Sequence, residues 1–87
     1  MKPGEDLILQ GVADLENGIE SLASLLVSIG AHRLRGAGIA VPQNTFPSPE
    51  HRLYFLLSRM YDTEAHSRYN SYIRRLVSFE RAAECGI

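Results

Sequence analysis

Apolar side chains recur in the first third of the chain at Ile8, Val12, Leu15, Ile19, Leu22, Leu26 and Ile29, in alternating steps of four and three. Such spacing keeps one stripe of an α-helix turned toward a neighbour, and it predicts a first helix over about residues 6–34. Gly11 and Gly18 sit beside the stripe, each weakening a helix by about 1 kcal/mol relative to alanine. The pattern favours reading both as tolerated weak positions; the other reading is that they admit a close neighbour. Near the end of the segment, Leu25 and Val27 widen the apolar face beyond what one partner helix covers.

Gly36, Gly38, Pro42, Pro47 and Pro49 then break the period, so residues 36–48 are expected to form a connection, longer than the usual helix–helix link of about 2–8 residues. Its apolar Ile39, Val41 and Phe46 are expected to fold back onto the helices, although long connections also present binding residues. Ser48, Pro49 and Glu50 announce a second helix through capping, a favourable first position and the helix dipole. Leu53, Leu57, Met60, Tyr61, Ala65, Tyr69, Tyr72, Leu76, Phe79 and Ala83 stay on one face of it, giving a helix over about residues 49–84. The polar run at 62–68 contains no glycine or proline. A bend there is therefore favoured over a break, in which Asp62 or Thr63 would cap a third helix. The expected fold is all-α, an antiparallel helical hairpin assembling with a second copy into a four-helix bundle.

Self-association is expected because the widened face at Leu25 and Val27, and the run Leu53, Tyr54, Phe55, Leu56, Leu57, exceed a two-helix seam. The competing expectation is that the connection covers the same patch within one chain. With 87 residues, the core is thin: a chain of this size buries roughly 60–65% of its unfolded surface. The single cysteine, Cys85, forms no internal disulfide and points to a reducing compartment. The N-terminal stretch, with one lysine followed by acidic residues, does not read as a signal peptide, and no run approaches the roughly 20 apolar residues of a membrane span. A cytoplasmic location is expected.

Charge divides the chain. Lys2 stands against Glu5, Asp6, Asp14, Glu16 and Glu20, whereas all eight arginines come later, against Glu50, Asp62, Glu64, Glu80 and Glu84. In an antiparallel hairpin, the basic end of the second helix would meet the acidic start of the first and set its register. Arg68, Arg74, Arg75 and Arg81, interleaved with Tyr69, Tyr72 and Phe79, also suit phosphates and stacked bases. A net charge of −1 and a pI near 6.3 weigh against that, since such domains usually exceed a pI of about 9.

Catalytic signals are weak. His66 follows Asp62 by four residues with Glu64 close by, a spacing that could set two ligands on one helical face, and His32 and His51 flank the connection, but no E-x-x-H or H-E-x-x-H accompanies them. Cys85, near the end of the chain, would need a base and an electropositive pocket around it, and RGAGIAV lacks the lysine of a phosphate loop. No enzyme activity, cofactor or metal is expected. The chain reads as a small protein-binding regulator, adaptor or inhibitor, a homodimer, contacting its partner through Val41, Phe46, Arg68, Arg74, Arg75 and Arg81. The alternatives are a nucleic-acid-associated regulator and a helical oligomer holding a small anionic ligand.

Overall fold

The computed structural model describes residues 4–85, and the regular elements among them are all helical: α1 (Glu5–Glu16), α2 (Leu22–Ile29), α3 (Ala31–Gly36), α4 (Pro49–Tyr61) and α5 (Ala65–Glu84). The fold is all-α, as the periodicity predicts. The first helix is not continuous, however.

Gly18 ends α1. Its φ of 69° is one that glycine adopts without steric cost. There the Gly18 N–H donates to the Leu15 carbonyl at 3.0 Å and the Ile19 N–H to the Asp14 carbonyl at 2.8 Å, satisfying the carbonyls that a helix end leaves bare. Ser21 then starts α2. Its side chain accepts from the Ser24 N–H at 3.1 Å, while the Ser24 hydroxyl accepts from the Ser21 N–H at 2.7 Å. Ser21 Oγ also donates to Asp14 Oδ2 at 2.6 Å, tying the new helix to the end of the old one.

The two helices then pack closely. A Cβ at Gly11 would lie 2.3 Å from the Ala23 carbonyl oxygen and 2.4 Å from Val27 Cγ2. Gly11 is thus the close-approach residue that the sequence reading ranked second, whereas Gly18 serves the turn. A further break at Gly30 separates α2 from α3.

The second helix also divides, at Asp62, which has a φ of 52°; among residues with side chains, aspartate tolerates positive φ comparatively well. A short 3-10 turn, Asp62–Glu64, follows, and α5 folds back along α4. The Tyr54 and Tyr69 rings accordingly lie 5.6 Å apart, and burial, helped by the Glu50 carboxylate, holds the Tyr69 phenol above its ordinary pKa. The favoured bend is a break.

At the centre is α2, where residues 23–28 are all buried. Leu25, Leu26, Val27, Leu53 and Leu57 are fully covered within one chain. Part of that cover is the connection, with Val41 buried and Ile39 and Phe46 packed against the core. Four hydrogen bonds hold the connection down. The Phe46 N–H donates to Ser28 Oγ and Asn44 Nδ2 to the Leu15 carbonyl; Arg35 donates to the carbonyls of Val41 and Pro42. Leu25, Val27, Leu53 and Leu57, four of the residues that motivated a four-helix assembly, are therefore covered from inside the chain, whereas Tyr54 and Phe55 of the same run stay exposed.

The start of α1 lies against α5, where a Cβ on Gly4 would stand 3.2 Å from the Arg75 carbonyl oxygen, as the expected register requires, and ion pairs tie the two halves together elsewhere. Arg33 of α3 donates to both oxygens of Glu84, at 2.7 and 2.9 Å, and to Glu80 at 3.3 Å, so at this end the second half supplies the acids. Arg52 of α4 meets Glu20 in the α1–α2 turn at 2.9 Å. The Glu80 side chain is 5% exposed. Burial pushes its carboxyl above the usual range against the pull of Arg33, while the Arg33 hydrogen bond holds Glu84 below it.

The two carboxyls have opposite consequences. Glu80 binds its proton more tightly in the fold, so its contribution to stability is present at acid pH and is lost as pH rises from the ordinary carboxylate range through its raised value. For Glu84 the contribution is present above that range and is lost as pH falls through its lowered value. Glu80→Gln is expected to stabilise the protein at pH 7, with the gain shrinking toward pH ~4.5. Urea titrations of both proteins at the two pH values test this; a loss of stability at pH 7 would count against the net cost assigned to the charged Glu80.

Candidate functional site

Ser48 stands at the start of α4 with φ 48° but makes no side-chain capping bond; Pro49 and Glu50 supply the first turn. Leu53 and Leu57 point into the core. With 3.6 residues per turn, that orientation turns His51, Phe55 and Arg59 outward, with Arg52 and Leu56 along one flank. Phe55 is 57% exposed, in company with Met60 at 55% and Tyr54 at 40%.

Between α4 and the α1–α2 turn lies an open groove of about 420 Å³ lined by Glu20, His51, Arg52, Phe55, Leu56 and Arg59. The Arg52–Glu20 pair closes one end. At the other, the Arg59 guanidinium lies 6.0 Å from the centre of the Phe55 ring, and Arg59 forms no ion pair among the described residues. The groove thus offers an apolar strip between two cations.

The residues singled out from sequence do not gather at one place. Val41 is in the core, 7% exposed, and Phe46 is half-buried. Arg68 pairs with Glu64 at 3.3 Å and lies over the Tyr61 ring at 4.3 Å. Arg75 lies 5.3 Å from the Tyr72 ring, and Arg74 and Arg81 are exposed. At 100° per residue, Arg68 and Arg75 share one side of α5, and Arg74 and Arg81 share another, about 100° or more away. Tyr69 and Tyr72 are partly buried against the core and Phe79 is in it, so these rings do not form a stacking platform.

His66 hydrogen-bonds Asn70 at 3.2 Å and meets the edge of Tyr54. Among the described residues no group of three or more His, Cys, Asp or Glu side chains is arranged to hold a metal, and no helix is long and apolar enough to cross a membrane. Cys85 is exposed at the end of α5.

The sequence reading missed Arg52, Phe55 and Arg59 as a group. The signal was there. Phe55 is out of phase with Leu53 and Leu57, and arginines stand three residues before it and four after; that places an aromatic and two cations on the side a helix turns away from its core. Compared with known proteins, the chain matches no protein-family model, no curated protein and no solved structure.

Proposed function

We propose that this is a small non-enzymatic protein of the regulator, adaptor or inhibitor kind, working in the cytoplasm by binding another protein through the outer face of α4. The observation that carries this reading is Phe55, a large aromatic left 57% exposed between two arginines beside an open groove. Exposed aromatics and arginines of this kind supply the anchors of protein interfaces. A nucleic-acid role draws less support, because the α5 arginines diverge and the neighbouring aromatics are committed to packing. Self-association through Tyr54, Phe55 and Met60 is the second reading, and it concerns this smaller face alone.

Immobilised protein is expected to recover a partner from nuclease-treated lysate of the source cell. Phe55→Ser should reduce that recovery about tenfold or more, the scale of losing an interface anchor, whereas Arg74→Glu should leave it unchanged. Recovery that nuclease abolishes would reject the reading. Light scattering at micromolar concentration tests the second reading: a monomer at all concentrations eliminates it.

A further inference from the structure

We infer that the α4 groove takes an acidic amphipathic helix of a partner protein, and that Glu20 holds one of the partner's carboxylate positions until that helix arrives. This rests on the reading of α4 as a protein-binding face. Arg52 and Arg59 are seven residues apart on one helix, hence about 10.5 Å along its axis. Phe55 and Leu56 lie between them in the groove. The complement of such a strip is a second helix with carboxylates seven residues apart and apolar side chains at the intervening third and fourth positions, which is the spacing by which amphipathic helices enter grooves.

The groove already holds a carboxylate. Glu20 Oε1 accepts from Arg52 Nη1 at 2.9 Å, and the two side chains are 42% and 41% exposed. An exposed pair of this kind is weak, and Glu20 belongs to the α1–α2 turn rather than to a helix, so its carboxylate can exchange for an incoming one without disturbing the core. Among the described residues Arg59 has no such internal acid, and its charge is available at the far end. A partner carboxylate gains Arg52 by displacing Glu20 and meets repulsion from Glu20 until it does. A nucleic-acid backbone would meet the same repulsion and would leave Phe55 and Leu56 without an apolar partner.

The probe is a labelled, helical synthetic peptide of about four turns, with glutamates seven residues apart and leucines at the third and fourth positions between them. Its control carries glutamines in place of the glutamates. Fluorescence anisotropy should show the acidic peptide binding about tenfold or more tightly than the control, with the difference falling as salt rises. Glu20→Gln should tighten binding of the acidic peptide several-fold. Arg59→Gln and Phe55→Ser should each weaken it, and Arg74→Gln should leave it unchanged; circular dichroism confirms that each variant keeps its helices.

Equal binding of the two peptides, no binding of either, or a Glu20→Gln variant that binds no better than the parent overturns the inference. So does tighter binding of a single-stranded oligonucleotide, or a concentration-dependent dimer that Phe55→Ser dissociates, which would assign the groove to a second copy. If these peptide results fail while capture from lysate still depends on Phe55, the acidic helix is rejected and the α4 face stands. If capture is also independent of Phe55, both fall.

Discussion

Gly11→Ala should destabilise the protein, with a net loss of up to about 2 kcal/mol. Helix propensity alone points the other way, since alanine for glycine inside a helix gains about 1 kcal/mol. The added methyl, however, has nowhere to go: its position lies 2.3 Å from the Ala23 carbonyl oxygen, 2.8 Å from that carbonyl carbon and 2.4 Å from Val27 Cγ2. The first two are backbone atoms of α2 and cannot swing aside as a flexible side chain would. Accommodation requires α1 and α2 to separate, and overpacking of this kind costs about 1–3 kcal/mol and sometimes more. Urea unfolding monitored by circular dichroism reads the sign directly. A stabilised Gly11→Ala variant would show that α1 and α2 do not meet at this point.

Leu57→Glu should unfold the chain outright. Leu57 is fully buried on the inward side of α4, in the core shared with α2 and α5, so a carboxylate there must either be taken out of water or be protonated. Neither solution restores the lost apolar packing, and the expected cost of about 4 kcal/mol or more is comparable to the whole stability of a small protein, about 5–15 kcal/mol. The loss should be the same at low and high protein concentration, because the contacts removed lie within one chain. A folded monomeric Leu57→Glu variant, recognised by helical circular dichroism and a cooperative thermal transition, would instead place Leu57 at an interface between copies.

These two residues also show how far a sequence can be read. Periodicity identifies the helical class and most of the core: Ile8, Leu15 and Leu26 lie on the first stripe, and Leu53, Leu57, Leu76 and Phe79 on the second. It does not identify the turns. Four-three spacing runs unbroken from Leu15 through Ile19 to Leu22, although the chain reverses between them, because the turn happens to preserve the phase. Asn17-Gly18 and the capping Ser21 record the reversal, but inside an unbroken apolar period they are faint, and Gly18 carries the same letter as Gly11, whose role is close packing.

The break at Asp62 leaves a fainter trace, since an aspartate in a polar run suits an exposed helix as well as a turn. The candidate site was legible in outline through the out-of-phase Phe55 and its flanking arginines. Its far wall was not, because Glu20 reaches Arg52 across thirty-two residues of chain, and pattern within one helix says nothing of such a neighbour.

The burial of α2 on every side has a consequence for how the chain comes into being. Synthesis proceeds from the N-terminus, so α2 emerges after α1 but well before α4 and α5, which supply much of its cover. Until residue 57 and beyond have left the ribosome, Leu25, Leu26 and Val27 have only α1 and the connection to cover them and lack the faces that α4 and α5 supply. Exposed apolar surface of that kind is prone to aggregation, and a nascent chain halted in the connection would present it for as long as the halt lasted.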